Sequence, residues 1–328
     1  MKRPFAELAG TGHYAPKRVM TNDEFSKFLD TSDQWIRDRT GIRERHISTD
    51  EESNACMGKA AALQVLNDLG MTPLDLDAIV YATASPDRLL PSAACDVQSI
   101  LGAKNAVAFD VGAACAGFVY AVNVAEGLIA SEQARNIMII AAERLTKIMD
   151  WSDRTTAVLF GDGAGATLMR PSDGTRGILS SYMKSDGTLA ELLYRPGGGA
   201  VHPPDAALLT DHSYYIQMAG REVFKAAVLS MADACDQALK RAGLTGEGID
   251  LMIPHQANIR IIEATAKHAK MPMDKVYINV DRYGNTSAAS VAIALDEAVR
   301  TGRLQPGMTV LLVAFGAGFT WASTVVKW

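Results

Sequence analysis

Several features that mark special classes of protein are scarce or missing in this 328-residue chain. Aromatic residues make up 7% and charged residues 21%, and the net charge of −5 argues against nucleic acid as a main partner. No apolar run approaches the roughly 20 residues of a membrane span, and residues 1–7 lack the long apolar segment of a signal peptide. We therefore expect a globular protein with no nucleic-acid or membrane partner.

Cysteine is also scarce, with four residues that are far apart and form no CxxC pair. This spacing indicates neither a disulfide framework nor a metal site, and it favours a reducing cytoplasm. Cys56, Cys95 and Cys235 stand in alanine-rich segments at helical spacing, so we expect them to be small buried apolar residues. Cys115 differs, because it follows a short apolar run and a turn of small residues.

Apolar runs and helical patterns alternate along the chain, which predicts an α/β fold. The predicted strands are 78–83, 107–110, 137–142, 165–169, 250–254, 276–280, 310–314 and 320–327. The predicted helices are 53–69, 259–269 and 287–301.

The order of these elements repeats, and the repeat indicates an internal duplication of about 150 residues. Each half ends in a strand, a Phe-Gly turn and another strand, at 160–163 and 315–318. The turn-rich segment 171–175 divides an N-terminal half, 1–174, from a C-terminal half, 175–328. If the halves pack about a pseudo-twofold axis, the turns that carry Cys115 and Asn285 face each other at the carboxyl ends of strands.

Three such turns carry reactive side chains. Cys115 is the candidate nucleophile, because a helix N-terminus is expected to lower the pKa of its thiol. His255 is the candidate acid, base or hydrogen-bond donor, and Asn285 is a second donor to a developing negative charge. The backbone N–H groups of Cys115 and Ala317 are candidates for an oxyanion hole.

Each of these residues also has a purely structural interpretation. Cys115 is compatible with simple packing, His255 with a helix cap, and Asn285 with a turn that tolerates positive φ. The glycines after Phe160 and Phe315 match no GxxxxGK phosphate loop. Taken singly the residues are ambiguous, and only their combination is specific.

The combination resembles β-ketoacyl-acyl-carrier-protein synthase III, a family of condensing enzymes in the thiolase superfamily. The resemblance covers nearly the whole chain. It includes the segments DTSDQWI (30–36), RTGIRER (39–45), PSAAC (91–95), ACAGF (114–118), FGDGAG (160–165), HQAN (255–258), GNTSAAS (284–290) and FGAGFTW (315–321).

The resemblance implies a five-layered αβαβα fold, a homodimer and a catalytic triad of Cys115, His255 and Asn285. It also implies a ping-pong condensation that starts fatty-acid synthesis. Cys115 takes an acyl group from acyl-CoA, and malonyl-acyl carrier protein then loses CO2 and attacks the acyl-cysteine. The coenzyme A thioester is a substrate, and no cofactor is expected.

The resemblance further implies roles in substrate and partner binding. Trp35 and Arg154 would hold the adenine of coenzyme A, Arg39 its phosphates, and Asn258 the pantetheine arm. The remaining substrate-binding candidates are Met218, Gly220, Phe224 and Leu90, and the candidates for docking the acidic carrier protein are Lys225, Arg260, Lys267 and Arg221. The alternative for the docking set is an ordinary solvated helix face.

One departure leaves the acyl preference open, because Leu90 stands where well-known members carry a Phe that closes the partner's pocket. A synthase of a specialised pathway, making a biotin precursor or a secondary metabolite, is therefore the main alternative. A papain-like hydrolase would need a different cysteine motif and secretion. A catalytically silent binding subunit of the same fold is the third alternative, which the intact triad disfavours.

Overall fold

Residues 5–328 are described by a computed structural model. Its strands are β1 Ala6–Tyr14, β2 Arg18–Thr21, β3 Glu44–Ile47, β4 Ala78–Ala82, β5 Val107–Val111, β6 Ile137–Arg144, β7 Asp162–Pro171, β8 Gly177–Ser185, β9 Leu193–Tyr194, β10 Gln217–Met218, β11 Leu251–Pro254, β12 Thr309–Gly316 and β13 Thr320–Lys327. Its α-helices are α1 Asn22–Phe25, α2 Asp33–Thr40, α3 Asn54–Leu69, α4 Ala93–Leu101, α5 Gly117–Ala130, α6 Ala207–Thr210, α7 Gly220–Ala242, α8 Ile259–His268, α9 Val280–Tyr283 and α10 Ala289–Arg300.

Local signals in the sequence set the ends of several of these elements. Helix α3 begins after Ser53, whose hydroxyl accepts a hydrogen bond from the N–H of Cys56, and ends at Gly70 with φ of 62°. Helix α7 likewise ends at Gly243 with φ of 67°. Helices α3, α8 and α10 and strands β4, β6, β11, β12 and β13 lie where the sequence predicts them.

Two main sheets repeat one strand order. The first has the order β1-β7-β6-β4-β5, and the second has the order β8-β13-β12-β11. In each sheet the third and fourth strands of this order pair in parallel. The second and third strands pair antiparallel, and so do the first and second. Within residues 5–328 the second sheet has no counterpart of β5, and at that edge Val276 forms an isolated parallel bridge to Met252.

The predicted strand at 276–280 is therefore wrong. The N–H of Tyr277 reaches the carbonyl of Met252, but the N–H groups of Asn279 and Val280 donate to the side-chain oxygen of Gln256 instead. This buried carboxamide replaces a neighbouring strand as the hydrogen-bond partner. The chain then turns into α9 at Val280.

Five layers result from the packing of helices on these sheets. Helices α5 and α10 lie between the two sheets and share one apolar core with both. Helices α3 and α4 cover the outer face of the first sheet, and α7 and α8 cover the outer face of the second. The expected αβαβα fold is confirmed.

The division of the chain into halves stays a prediction. The first sheet is built from residues 6–171 and the second from residues 177–327. The central core, however, takes residues from both sheets, including Val80 and Leu312. The two sheets are thus distinct in sequence and joined in packing.

The prediction for the three other cysteines is only partly right. Cys235 is buried on α7, whereas Cys95 is half-buried and Cys56 is exposed, and all are free thiols. Cys56 falls outside the buried positions of α3, which include Ala55, Met57 and Ala61.

Across residues 5–328, no helix has both the length and the apolar character needed to cross a membrane. Of the N-terminal segment considered above, residues 1–4 lie outside the described residues.

Candidate active site

The turn after β5 positions Cys115. The chain forms one 3-10 turn, Ala114–Ala116, and α5 begins at Gly117. Ala114 has φ of 43°, a left-handed conformation that an alanine adopts rarely. Cys115 is only 8% exposed and lines a cavity directly before the helix.

Burial dominates the electrostatics of this thiol. Burial, the largest cause, and the charge of the Glu143 carboxyl together raise the pKa of Cys115 to about 12, although the Ser287 side chain acts in the opposite direction. The prediction that the helix start lowers this pKa is therefore wrong, because desolvation of the charged form is the largest effect. The resting residue is a neutral thiol.

The end of β12 lies against the backbone of this turn. A methyl group added at Gly316 would stand 2.7 Å from the nitrogen of Cys115 and 2.8 Å from that of Ala116. The hydroxyl of Thr320 also donates to the carbonyl of Ala113 at 2.9 Å. Glycine at 316 thus allows the turn that contains Ala317 to approach the nucleophile, and both residues line the same cavity.

His255 follows β11 and is 3% exposed. Its backbone N–H donates to the carbonyl of Val313, which fixes the residue beside β12. Its Nδ1 lies 2.6 Å from the hydroxyl of Ser290, which leaves Nε2 as the ring nitrogen for the cavity. Burial lowers the pKa of His255 to about 3, so the imidazole is neutral.

Asn285 lies in the turn between α9 and α10 and is 7% exposed. Its backbone pairs with the chain at Phe160, where its N–H donates to Leu159 and its carbonyl accepts from Gly161. Its side-chain oxygen accepts the N–H of Ser287 at 2.8 Å. Because that contact needs an acceptor, the carboxamide is oriented with its NH2 group as the remaining donor.

These turns meet in one cavity of about 230 Å³. The structure brings together Cys115, His255, Asn285 and Ala317 with the predicted substrate-binding residues Asn258, Met218, Gly220 and Phe224. The rest of the lining is mostly apolar and includes Leu145, Ile148, Leu159, Phe160, Ile216 and Phe315. Leu90 is not among the lining residues, and its side chain is 85% exposed.

Trp35, Arg39 and Arg154 form a separate group, called here the entrance cluster. The guanidinium carbons of Arg39 and Arg154 lie 4.3 and 5.4 Å from the centre of the Trp35 ring. Asn258 connects this cluster to the cavity, because its side chain lines the cavity and donates to the carbonyl of Arg39 at 2.9 Å. Arg154 is also paired with Asp30 at 2.9 Å.

The predicted docking residues are exposed on the adjacent helices α7 and α8. Arg221 and Lys225 lie in the first turns of α7, and Arg260 and Lys267 lie on α8. Arg260 also donates to the carbonyl of Asp38 in α2, which places it beside the entrance cluster. Two of the cations thus lie at the start of α7 and two on α8, which packs against α7, and Lys267 lies next to His268, which contacts Asp236 further along α7.

Three polar residues around the site were missed by sequence reasoning. Ser290 contacts the imidazole of His255, Ser287 lines the same cavity as Cys115, and Glu143 is buried and accepts hydrogen bonds from the N–H groups of Ala84 and Ala288. Both serines lie within the segment 284–290 that was singled out for Asn285. Glu143 directly follows the predicted strand 137–142. Because the carboxyl ends of such strands face the ligand site, its position could have indicated a site residue.

Sequence comparison gives the same assignment over the whole length of the chain. Residues 109–187 match the model of 3-oxoacyl-acyl-carrier-protein synthase III, and residues 239–328 match that of its C-terminal part. The β-ketoacyl-acyl-carrier-protein synthase III of Caldanaerobacter subterraneus is 50% identical over 323 residues, which is 98% of each chain. The chain belongs to the β-ketoacyl-acyl-carrier-protein synthase III family. It is an acyltransferase of the condensing type.

Solved structures of this family have the same fold. The 3-oxoacyl-acyl-carrier-protein synthase III of Aquifex aeolicus is 44% identical and superposes with a TM-score of 0.92, covering 98% of this chain and 100% of that one. A priming β-ketosynthase from a polyketide biosynthetic pathway is 36% identical with a TM-score of 0.90, covering 99% and 96%. The chain is thus also similar in structure to an enzyme whose name places it in polyketide biosynthesis.

Proposed function

We propose that this enzyme condenses an acyl-CoA primer with malonyl-acyl carrier protein through an acyl group carried on Cys115, and so initiates fatty-acid synthesis. The observation that carries the proposal is that one mostly apolar cavity is lined by Cys115, His255 and Asn285 together. Cys115 is the one cysteine of the chain that lines it. An apolar lining suits an acyl chain, and a thiol in that lining suits transfer from a thioester.

In the first half-reaction, the sulfur of Cys115 attacks the carbonyl carbon of the acyl-CoA. The carbonyl oxygen becomes an oxyanion that the N–H groups of Cys115 and Ala317 stabilise, and the bond to the coenzyme A sulfur then breaks. The close approach of Gly316 to the Cys115 backbone supports this pairing of N–H groups. Cys115 gives up its thiol proton to water as it attacks, and the departing coenzyme A thiolate takes a proton from water, so the half-reaction neither consumes nor releases a proton.

In the second half-reaction, malonyl-acyl carrier protein loses CO2, and the electron pair moves onto its thioester oxygen. Nε2 of His255 and the NH2 group of Asn285 donate hydrogen bonds to this oxygen. The proposal is supported by the neutral imidazole, whose Nδ1 faces the Ser290 hydroxyl, and by the fixed orientation of the Asn285 carboxamide. The enolate carbon then attacks the acyl-cysteine, and Cys115 leaves as the β-ketoacyl product forms.

The entrance cluster is proposed to hold coenzyme A. The Trp35 ring offers a stacking surface for adenine against Arg154, and Arg39 supplies positive charge for the phosphates. Asn258, which connects this cluster to the cavity, would contact the pantetheine arm. Exposed Lys225, Lys267, Arg221 and Arg260 would then receive the acidic carrier protein.

A homodimer is proposed from the edge of the first sheet. Strand β5 is an edge strand, Val107 on it is 65% exposed, and Leu89 and Leu90 nearby are 71% and 85% exposed. An unpaired edge with apolar side chains is suited to pairing with a second copy. Val107→Lys is expected to give monomers in sedimentation analysis; an unchanged dimer, or a monomeric parent enzyme, would contradict the proposal.

A cytoplasmic location is proposed from the thiols. All four cysteines are free, and the proposed chemistry requires that Cys115 stay reduced. Reducing compartments maintain such thiols.

The pathway has a second candidate. The similarity to a polyketide priming ketosynthase favours an enzyme that uses the same residues with a different acyl donor or carrier protein. The two candidates predict the same acyl-cysteine and differ in the acyl group and in the carrier protein that accepts it.

One experiment addresses both the reaction and the pathway. The enzyme is incubated with a panel of straight and branched acyl-CoAs, and its intact mass is measured before and after addition of malonyl-acyl carrier protein. We expect an added acyl mass that disappears as β-ketoacyl-carrier protein forms. No added mass with any acyl-CoA would contradict the reaction, and transfer only to a polyketide carrier protein would favour the second pathway.

A further inference from the structure

A fully buried arginine lies close to the candidate active site. Arg45, in β3, is 0% exposed. Its guanidinium donates to the carbonyl of Val158 and to the side-chain oxygen of Asn22, and it lies 3.5 Å from the carbonyl of Met20. All three oxygens are uncharged, and its Nε has no hydrogen-bond partner among residues 5–328. A buried charge of this kind is costly, and nothing in the proposed reaction so far uses it.

The guanidinium of Arg45 joins two parts of the molecule. On one side it donates to the carbonyl of Val158, the first residue of the segment 158–161. On the other side it donates to the oxygen of Asn22 at 2.7 Å, and the NH2 group of Asn22 donates to Asp33 at 2.9 Å. Asp33 lies in the first turn of α2. One side chain thus ties the segment 158–161 to the start of α2.

The segment 158–161 in turn holds the backbone of Asn285. The N–H of Asn285 donates to the carbonyl of Leu159 at 2.8 Å, and the N–H of Gly161 donates to the carbonyl of Asn285 at 3.1 Å. Leu159 and Phe160 also line the cavity together with Asn285. Because both backbone groups of Asn285 are bound to this segment, a shift of the segment moves Asn285 with it.

The aliphatic part of Arg45 packs where these two stretches of chain meet. A methyl group added at Gly161 would stand 3.0 Å from the Cβ atom of Arg45 and would overlap the carbonyl oxygen of Tyr283. A methyl group added at Gly284 would stand 3.2 Å from the same Cβ atom and 2.9 Å from the carbonyl oxygen of Leu159. The arginine therefore contacts the joint through its stem as well as through its guanidinium.

Filling space does not by itself explain an arginine at this position. An apolar side chain would occupy the same place without the cost of burying a charge. The guanidinium adds a planar fork of donors, which binds oxygens of two segments at the same time. The ring of Phe25 lies 4.5 Å from the guanidinium carbon and supports this plane. The arrangement is suited to fixing the relative position of the segments.

We propose that Arg45 is a positioning residue for Asn285, an inference that rests on the proposed function. Arg45 holds the segment 158–161, and this segment holds Asn285 so that its NH2 group faces the malonyl thioester oxygen. Arg45 is not among the residues that line the cavity, so it acts through Asn285. Cys115 and Ala317, which serve the first half-reaction, are not part of these contacts. The effect of Arg45 is therefore confined to decarboxylation.

The test compares the two half-reactions in Arg45→Met and Arg45→Lys. Methionine removes all the donors, whereas lysine keeps the charge but has one head group that cannot replace the fork. In both variants we expect CO2 release from malonyl-acyl carrier protein to fall roughly tenfold or more, because a small misplacement of a reacting group is costly. Acylation of Cys115 by saturating acyl-CoA should keep the parent rate.

Two results of this comparison would overturn the proposal. One is a parent rate of decarboxylation in Arg45→Lys, and this variant decides if Arg45→Met does not fold. The other is an equal loss of both half-reactions, which would indicate general damage to the site. As a matched control, Arg170→Met removes a guanidinium that pairs with Glu7 near the end of β7, and it should change neither half-reaction.

A double-mutant cycle tests whether Arg45 acts through Asn285. In an Asn285→Ala background the group to be positioned is absent, so Arg45→Lys should cause no further loss of decarboxylation. The same fold loss in this background as in the parent enzyme would overturn the proposal, because it would mean that the two residues act independently.

Hydrogen exchange tests the contact without any substrate. In Arg45→Lys we expect the N–H groups of Gly161 and Asn285 to exchange roughly tenfold faster, because their mutual hydrogen bonds open locally. Peptides from α3, on the outer face of the first sheet, should keep the parent rates. Unchanged exchange at Gly161 and Asn285 would overturn the proposal. A parent enzyme that no acyl-CoA acylates would instead overturn the proposed function, and the exchange result would still decide whether Arg45 holds the segment.

Discussion

The reaction centre and the entrance cluster are built by different means. At the centre, Cys115, His255 and Asn285 are almost fully buried, and the polar contacts of the last two fix their orientations. At the entrance, Arg39 and Arg154 are exposed and rest on one half-buried indole ring. Buried donors act in a low dielectric, whereas exposed charges are screened by water and salt. Substitutions should therefore have large effects at the centre and small ones at the entrance.

The largest effect is expected from Asn285→Asp. This change preserves the shape of the side chain but places a carboxylate where negative charge develops on the malonyl thioester. Loss of one such donor, as in Asn285→Ala, costs roughly 10²–10³-fold. We expect decarboxylation to fall further than that in Asn285→Asp, because the carboxylate also repels the developing charge. The measurement is CO2 release from malonyl-acyl carrier protein, and a milder effect for Asp than for Ala would contradict the role of Asn285 as a donor.

Gly316→Ala tests the contact between the two turns. The added methyl group would stand 2.7 Å from the nitrogen of Cys115, so the turn has to move and the proposed oxyanion hole with it. We expect acylation by acyl-CoA to be slowed more than tenfold, by roughly the effect of losing one oxyanion donor.

Gly112→Ala is the matched control for Gly316→Ala. Gly112 lies three residues before Cys115, yet a methyl group there would meet no atom within 4 Å. Acylation in this variant should equal that of the parent enzyme. Equal rates in the two variants would show that the close approach of β12 is unimportant.

A smaller effect is expected at the entrance cluster. Trp35→Ala removes the proposed stacking surface for adenine and leaves the cavity lining unchanged, since Trp35 is not part of it. We expect KM for acyl-CoA to rise roughly fivefold, or about 1 kcal/mol, with little change in kcat. A fall in kcat with unchanged KM, measured under steady-state conditions, would contradict this assignment.

The smallest effect is expected on the docking face. Lys267→Glu reverses one exposed charge on α8, so it should raise KM for the carrier protein a few-fold and weaken its dependence on salt. Lys104→Glu makes the same change at an exposed position after α4, on the layer that covers the first sheet, and should leave KM unchanged. Identical salt dependence in the two variants would indicate an ordinary solvated surface.

The sequence predicted the parts of the site that depend on strand order. Cys115 and His255 follow β5 and β11 at the carboxyl edges of the two sheets, and such edges converge in α/β folds, whereas Asn285 reaches the same place after α9. That geometry follows from alternation of strands and helices, which a pattern of apolar residues reveals. The residues could be brought together without knowledge of any side-chain contact.

The two wrong predictions, the strand at 276–280 and the lowered pKa of Cys115, share a different cause. In each, an effect expected from the backbone alone is replaced or outweighed by surrounding side chains. The carboxamide of Gln256 takes hydrogen bonds that a strand at 276–280 would have made. Desolvation around Cys115 outweighs the effect expected from the helix start. Neither burial nor a contact between residues so distant in sequence can be predicted from a local pattern. The positions of Glu143 and Ser290 in the site depend on such contacts, so the local pattern did not predict their roles.

The most direct test of the account is a reciprocal pair of half-reactions in Cys115→Ala and His255→Ala. Cys115→Ala should gain no mass from acyl-CoA but still decarboxylate malonyl-acyl carrier protein. His255→Ala should become acylated but lose decarboxylation. Cys56→Ala, which removes an exposed thiol, should retain both activities. Acylation of the Cys115→Ala protein would contradict the assignment of the acyl group to Cys115. Loss of both half-reactions together in His255→Ala would contradict the assignment of decarboxylation to His255 and Asn285.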